Sequence, residues 1–511
     1  MASNTKTIAK NTGWYGLENV INAVLTLFTS IAIARTLGPA KMGYIIYVTW
    51  IAAVVSDLSG LGIPATARKY MAEFLGRGDR GTARHIYFRT FQLQAGLATL
   101  TTSGLMFWVL RDAPADYKLA SILVVLSIWP SMVNAISAQA NVASEELSKN
   151  LPASAVSVLS YFLMILATVI FHWGVVGVGA SMLVMRLADF LVRAIPTLIR
   201  IRVWDTAHVE PEGLSKRMMT FAWQSVAVMF VEMIVWQRSE LILLKHLCAD
   251  IRQVAYYSVA FSMADRLLIS ASIFGSAAGA TVFAQYGRDK SRVPDITAST
   301  FRYLALTSIP LHFIAAALAA SALLLLYGNQ YKDAIMVITL APLLCLPKAF
   351  IGPVRSILQS HERQSFIIGA TVIAGIVDVA VAWYLIPAHG AVGACIGSGV
   401  AEITAIGMMW AIVIYLYKVK LPWVLVAKVV FISSSAALTA YYIAAQLRPL
   451  WGILCGGGAA IIILFALFYL MHVLKPEDRE RFKTVTSILP KPVSVPINKI
   501  LTILVRPAFA R

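Results

Sequence analysis

The chain has 511 residues, of which 59% are hydrophobic and only 13% are charged, and its mean hydropathy is +0.74. Soluble domains contain roughly 45 to 50% apolar and about 25% charged residues, so this composition excludes a soluble protein and indicates an integral membrane protein. The net charge of +18 would suggest a nucleic-acid partner in a soluble protein, but in a membrane protein its distribution between loops must be considered first.

Apolar runs of about twenty residues recur along the chain, which predicts membrane-spanning helices, whereas β-barrel strands would alternate over about ten residues. The first run follows Lys6 and Lys10. Glu18, Asn19 and Asn22 interrupt it, which indicates a retained helix rather than a removed signal peptide. The predicted fold class is therefore all-α and polytopic, with about fourteen transmembrane helices. The spans are predicted near residues 14 to 36, 42 to 63, 91 to 110, 119 to 143, 151 to 171, 175 to 199, 218 to 244, 254 to 280, 303 to 326, 334 to 358, 365 to 386, 391 to 416, 423 to 446 and 451 to 474.

Two repeated segments indicate an internal duplication. LGPAKMGY at residues 37–44 has a looser echo at residues 247–257, and GVVG at residues 174–177 recurs as GAVG at residues 390–393. Similar offsets predict two six-helix lobes, related by pseudo-two-fold symmetry and facing a central cavity. The predicted boundaries are an N-terminal lobe 1–200, a cytoplasmic connector 201–217, a C-terminal lobe 218–417, two additional transmembrane helices 418–474 and a basic cytoplasmic tail 475–511.

Lys and Arg residues are concentrated in the loops of one side. By the positive-inside rule, this asymmetry places both termini in the cytoplasm of a multi-pass protein of the cell (inner, cytoplasmic) membrane. Much of the net charge is then a topology signal, so a nucleic-acid partner loses its main support. In the basic tail, residues Ile497 to Val505 form either a short helix on the anionic inner leaflet or part of a disordered segment.

Several charged residues lie where the predicted spans should be apolar, and each costs on the order of 2.5 to 3.5 kcal/mol to insert. Span seven contains Glu232, Arg238 and Glu240, and span eight contains Asp265 and Arg266 near its middle. Glu232 and Arg238 are six positions apart and do not share a helix face, so each requires a partner on another helix. The set either lines a polar transport path or forms a structural ion-pair network.

Span six carries Arg186, Asp189 and Arg193 at positions i, i+3 and i+7, which share one helix face. They either brace the lobe or face the cavity. In span two, Asp57 precedes a glycine-rich segment at residues 60–64, which suits a gate or a proton-binding site as well as a capping or packing role.

Lys348 lies among three prolines of span ten, and prolines kink a helix and free backbone carbonyls. It either pairs with Asp378 or Glu402 on neighbouring spans or faces the cavity. The eight histidines and four cysteines are scattered, and no GxxxxGK[ST] motif is present, so we predict no metal, no cofactor and no ATP drive from this chain.

Four segments of the chain resemble a known family. They read ARTLGPAKMGY at residues 34–44, YYSVA at 256–260, LYGNQY at 326–331 and IPAHGAVGA at 386–394. They are similar to the lipid-linked oligosaccharide flippases, the O-antigen and polysaccharide translocases of the multidrug/oligosaccharidyl-lipid/polysaccharide exporter superfamily. The resemblance implies a cavity lined largely by spans one, two, seven and eight, alternating access, and a polyprenyl-pyrophosphate-linked glycan moved to the outer leaflet.

A pyrophosphate needs basic groups in a wet cavity to offset its charge. The candidate residues for the implied substrate are Arg266, Arg238, Arg186 and Lys348 for the pyrophosphate, and Asn19, Asn22 and Gln224 for sugar hydroxyls. The candidates for binding a coupling proton or cation are Asp57, Glu232 and Asp265.

Two other functions compete with a flippase. One is a drug/cation antiporter of the same superfamily, whose cavity would be acidic, and the other is a membrane glycan polymerase or ligase. Such an enzyme would need a sizeable outer loop, and the predicted outer loops are short, so we expect no enzyme. The expected partners are the lipid-linked glycan, membrane lipids and glycan-assembly proteins.

Overall fold

The structure, a computed structural model, describes residues 2–204, 211–236 and 239–474, without the side chains of residues 2–24 and of some scattered positions. Arg238, the middle of the predicted connector and the predicted tail, including Ile497 to Val505, lie outside the described residues. The described part is all-helical. Its α-helices are α1 Ala2–Ser59, α2 Ile63–Gly76, α3 Arg80–Asp112, α4 Ala115–Leu126, α5 Ile128–Ala143, α6 Leu151–Ile170, α7 Gly174–Arg202, α8 Leu214–Trp236, α9 Glu240–Leu247, α10 Arg252–Arg288, α11 Val293–Tyr327, α12 Ile335–Cys345, α13 Ile351–Ser360, α14 Gln364–Tyr417, α15 Trp423–Gln446 and α16 Pro449–Leu470. Short 3-10 helices lie at Leu147–Asn150, Lys290–Arg292, Asn329–Ala334 and Leu346–Phe350.

Ten helical stretches of the described chain are long and apolar enough to cross a membrane. Two of these stretches, in α1 and α14, each contain two helices joined at a kink. The predicted seventh and eighth spans correspond to α8 with α9 and to α10. The polytopic all-α class predicted from the apolar runs is therefore confirmed.

The two long helices break at glycines that the sequence placed between spans. Gly38 in α1 has φ 70° and ψ 170°, and Pro39 follows it. Gly390 in α14 has φ 51° and ψ −126°, three residues after Pro387. Because L residues with a Cβ avoid positive φ, glycine allows α14 to change direction at this point.

The repeated GxxG segments have similar local geometry in both halves of the chain. Gly174 begins α7 with φ 59°, as Gly390 does for the second part of α14. The second glycine of each pair is tightly packed: a Cβ on Gly177 would collide with Thr168, and one on Gly393 would come within 2.6 Å of the Leu385 backbone. The two segments therefore share a local backbone geometry, and the duplication stays a prediction.

The chain divides into two compact units, and the first comprises Met1–Ala255. In this unit α7 packs against α4, α5 and α6, and α2 packs against α3 and α5. The buried core between α2, α3 and α5 includes Tyr70, Met71 and Tyr87. The Tyr87 hydroxyl shares a 2.9 Å hydrogen bond with Ser137 Oγ, so this buried polar atom has a partner.

The second unit comprises Tyr256–Arg511. Here α11 packs against α12, α15 and α16, and α14 packs against α12 and α13. Ala436, Ala440 and Ala460 form a core cluster between α15 and α16. These small residues allow close packing of backbones, as is typical of helix contacts within a membrane.

Candidate functional site

The predicted site residues fall in both compact units. Asp57, Arg186, Gln224 and Glu232 belong to the first unit, and Asp265, Arg266 and Lys348 to the second. Asn19 and Asn22 lie on α1, but their side chains, like Arg238, are outside the described residues.

In the first unit, α7 presents the charged face predicted from its spacing. Asp189 Oδ1 lies 2.7 Å from Arg193 Nη2, one helical turn away. Asn134 Nδ2 on α5 donates a 2.8 Å hydrogen bond to Asp189 Oδ2, and Arg193 Nη2 donates to Ser154 Oγ on α6 at 3.3 Å. The side chains of Asp189 and Arg193 are only 14% and 13% exposed. This pair joins α5, α6 and α7, so we call Asp189, Arg193, Asn134 and Ser154 the brace.

Arg186 lies on the same helix but has different surroundings. It interacts electrostatically with Asp57 on α1, with Asp189 and with Tyr161 on α6. Among the described residues of this unit, no carboxylate is close enough to form an ion pair with Arg186, and Asp57 is exposed. The packing of α1 against α7 thus brings Asp57 and Arg186 into one electrostatic neighbourhood without direct contact.

In the second unit, a lysine lies between two carboxylates. Lys348 Nζ lies 3.5 Å from Asp265 Oδ1 on α10 and 3.6 Å from Glu402 Oε1 on α14. Lys348 is on the 3-10 helix Leu346–Phe350, which begins with a proline at its second position and separates α12 from α13. Glu402 is 1% exposed. We call Asp265, Lys348 and Glu402 the lysine triad; Glu402 is one of the two partners proposed for Lys348.

Arg266 follows Asp265 directly, but its guanidinium has a different partner. Arg266 Nη1 donates a 2.8 Å hydrogen bond to the carbonyl of Ser262, one turn earlier on α10. No described carboxylate of this unit forms an ion pair with it. Arg266 is half-buried.

The remaining predicted residues are accessible. Gln224 and Glu232 on α8 are both exposed. Sequence reasoning missed Asn134, Ser154 and Tyr161 as neighbours of the charged face of α7. Only Asn134, a polar residue in an apolar span, carried a signal for such a role. Among the described residues, no group of histidine, cysteine and acidic side chains could hold a metal ion.

Chemically, the described residues of each unit include a guanidinium, Arg186 or Arg266, without a described carboxylate in ion-pair contact, and one or more carboxylates on the membrane helices. A guanidinium in this setting can bind an anionic group, because it presents up to five N–H donors in a planar fork. A carboxylate beside a lysine can exchange a proton in response to the surrounding charges.

Comparison with known proteins gives a family and a fold. The model of a family described as "Polysaccharide biosynthesis protein" matches residues 32–336, more than half of the chain. No curated protein matches this chain.

Three solved structures illustrate the shared fold. A structure of the lipid II flippase MurJ in an inward closed conformation has a TM-score of 0.72 at 12% identity, covering 90% of this chain and 98% of MurJ. An inward-facing multidrug resistance MATE family transporter of the MOP superfamily has a TM-score of 0.62 at 14% identity, covering 78% of this chain and 95% of that one. A variant of the Vibrio cholerae MATE transporter VcmN has a TM-score of 0.53 at 11% identity, covering 78% and 97%.

These matches confirm the family resemblance read from the four sequence segments. The chain belongs to the polysaccharide biosynthesis protein family and has the polytopic helical fold of the multidrug/oligosaccharidyl-lipid/polysaccharide superfamily.

Proposed function

We propose that this chain is a flippase that moves a polyprenyl-pyrophosphate-linked oligosaccharide from the cytoplasmic to the outer leaflet of the cell membrane. Both termini are cytoplasmic in this proposal, and the flippase works by alternating access, without chemistry on the substrate. It supplies glycan-assembly proteins that build a cell-surface polysaccharide. Membership of the polysaccharide biosynthesis protein family and the transporter fold support a membrane transport role.

The observation that carries the proposal is the position of Arg266. A cation in the middle of a membrane helix is costly, and Asp265 beside it pairs with Lys348 instead. The contact of Arg266 with the Ser262 carbonyl leaves donors for a pyrophosphate, which a guanidinium binds in bidentate fashion. Arg186, near Asp57 but not in contact with it, would provide a second such cation in the first unit.

We place ion coupling at the carboxylates. Protonation of Asp265 would remove one of the two anions beside Lys348 and shift its contact toward Glu402. Asp57 and Glu232, both exposed, are the corresponding candidates of the first unit. A proton or cation bound in only one conformation would bias the transport cycle toward that conformation.

The decisive experiment measures flipping by the purified full chain. A fluorescent polyprenyl-pyrophosphate-linked oligosaccharide is reconstituted in both leaflets of proteoliposomes, and its accessibility to an impermeant quencher is followed. We expect loss of the protected pool at a rate proportional to protein content and faster with an imposed proton gradient. A protected pool as stable as in protein-free liposomes would refute the proposal. A rate indifferent to both proton and sodium gradients would leave the carboxylates as structural groups.

A drug/cation antiporter is the second candidate, and the exposed carboxylates of Asp57 and Glu232 favour it. The same proteoliposomes separate the two functions. Uptake of a lipophilic fluorescent cation against a proton gradient, without movement of the lipid-linked glycan, would support the antiporter.

A further inference from the structure

The first unit contains a groove whose lining includes none of the residues proposed above for substrate or ion binding. It lies between α2, α3 and α8 and has a volume of about 310 Å³. We call it the inner groove and define it by Ile63, Arg89, Leu93, Leu97, Met219 and Trp223. Apart from Arg89 and a few small hydroxyl residues, its lining is apolar.

The apolar wall of the groove is open to the surroundings of the unit. Leu93 is 54% exposed, Met219 62% and Trp223 61%. Beside it, Gly62, which precedes α2, packs so closely on α8 that a Cβ there would lie 2.6 Å from the Ala222 carbonyl oxygen. An open, preformed apolar groove fits a hydrocarbon chain.

The polar end of the groove lies at the membrane boundary. Arg89 precedes Asp112, the end of α3, by 23 residues, which is roughly 35 Å at about 1.5 Å per residue. The hydrocarbon core is about 30 Å thick, so Arg89 sits at headgroup depth when the outer part of α3 spans the bilayer. This is the end of the unit at which basic residues concentrate, including Lys69, Arg84 and Arg217.

At that end, Arg89 is held by α8. Its Nη1 donates a 2.9 Å hydrogen bond to Ser215 Oγ, in the first turn of that helix. A guanidinium fixed against a helix N-terminus presents a positive surface to an anion in the opening of the groove.

We propose that the inner groove binds an anionic phospholipid, with one acyl chain along Leu93, Leu97 and Trp223 and the headgroup phosphate at Arg89 and Ser215. Its volume, near the lower end of the roughly 300 to 1,000 Å³ of ligand sites, is too small for an oligosaccharide headgroup, and the lining offers few polar partners. Charge also favours a lipid anion over the chain's own tail, which is basic.

The test is photo-crosslinking of the full chain in lipid nanodiscs. The nanodiscs contain a trace of phosphatidylglycerol or phosphatidylcholine with a photoactivatable acyl chain, and labelled peptides are mapped. We expect phosphatidylglycerol to label the peptides containing residues 89–97 and 215–223 more strongly than phosphatidylcholine. Replacing Arg89→Gln should lower this labelling about tenfold, as expected for one hydrogen bond to a charged group.

Two matched controls keep the outcome specific. Arg77→Gln removes an exposed arginine at the same end that pairs with Glu73 at 2.6 Å, and it should leave labelling unchanged. Leu93→Trp fills the groove and should abolish labelling, whereas Leu100→Trp, on the same helix and 72% exposed but outside the groove, should not. Thermal unfolding of each variant identifies losses that come from misfolding.

Three results would overturn the proposal. One is equal labelling by the two lipids, and another is an effect of Arg89→Gln no larger than that of Arg77→Gln. The third is displacement of phosphatidylglycerol from these peptides by an equal mole fraction of a polyprenyl phosphate, which would make the inner groove a carrier-lipid site.

Discussion

The brace of the first unit and the charged pair of α10 in the second use the same residue types in different ways. On α7, Asp189 and Arg193 are one turn apart and neutralise each other, and Asn134 and Ser154 complete the network. On α10, Asp265 and Arg266 are neighbours in sequence and therefore point in different directions. Asp265 pairs with Lys348, and Arg266 bonds to its own helix.

The difference teaches that a membrane-embedded arginine is assigned a role by its partners rather than by its depth. An arginine satisfied by a carboxylate, as in the brace, stabilises helix packing. One satisfied by a backbone carbonyl retains donors for a ligand. Substitutions at the two kinds of arginine and at their neighbours separate these roles.

Lys348→Met should cause the largest loss of stability. It leaves Asp265 and the buried Glu402 without their shared cation, and breaking a buried ion pair costs about 3 to 5 kcal/mol. Thermal unfolding of the purified protein measures the loss. The double variant Lys348→Met with Glu402→Gln should recover most of it, because it removes the buried charge of Glu402, whereas Asp265, whose side chain is 37% exposed, can be solvated. A double variant as unstable as Lys348→Met alone would contradict the contact between Lys348 and Glu402 in the lysine triad.

Arg266→Ala should reduce the flipping rate roughly 10- to 100-fold with little change in stability, since a hydrogen bond to a charged group is worth about 1.5 to 3 kcal/mol. Arg193→Ala should do the opposite: it should lower stability and leave the rate per folded molecule nearly unchanged, because the brace would have no contact with substrate. Flipping by matched amounts of folded protein checks both. Equal flipping rates for the two variants would show that Arg266 and Arg193 do not differ in role.

Gly393→Ala should destabilise by about 1 to 3 kcal/mol, because its Cβ would meet the Leu385 backbone, which cannot move aside. Gly177→Ala in the other half should cost somewhat less, since the atoms that it meets, on the side chains of Thr168 and Trp173, do not belong to the backbone. Gly369→Ala is the control, as its position is open, and should stabilise by about 0.5 to 1 kcal/mol. Thermal unfolding of the three variants gives the order of their stabilities. A different order would argue against the structural equivalence of the two GxxG segments.

The smallest effect is expected at the caps outside the membrane. Asp289 accepts hydrogen bonds from the Ser291 hydroxyl and amide, which hold the pKa of its carboxyl below the usual value. Because the folded pKa is depressed, this stabilisation is present above about pH 4, the ordinary range of Asp, and is lost as the pH falls through the folded value. Asp289→Asn should remove that part of the acid dependence of thermal unfolding.

Asp79 provides the matching cap of the first unit. It accepts a hydrogen bond from the Thr82 amide at 2.8 Å at the start of α3, and Asp79→Ala should cost about 0.5 to 2 kcal/mol of stability.

For Asp289→Asn, an acid dependence of thermal unfolding equal to that of the unchanged protein would show that the Ser291 hydrogen bonds do not persist in solution.

Part of the site was predictable because it is local. The i, i+3, i+7 spacing placed Arg186, Asp189 and Arg193 on one face, and the Asp189 to Arg193 ion pair follows from that spacing. The partner of Lys348 was narrowed to two acids, and Glu402 was one of them. That Asp265 would be the other partner could not be inferred, since it depends on how α10 lies against the 3-10 helix that carries Lys348.

The membrane class, the helical spans and the boundaries between spans near Gly38 and Gly390 were predictable from the amino-acid sequence, because apolar length and backbone preference act over a few residues. The contacts between helices needed the tertiary structure. The hydrogen bonds that join Asp189 and Arg193 to α5 and α6, and the pairing of Asp265 and Glu402 with Lys348, depend on the packing of helices that are distant in sequence.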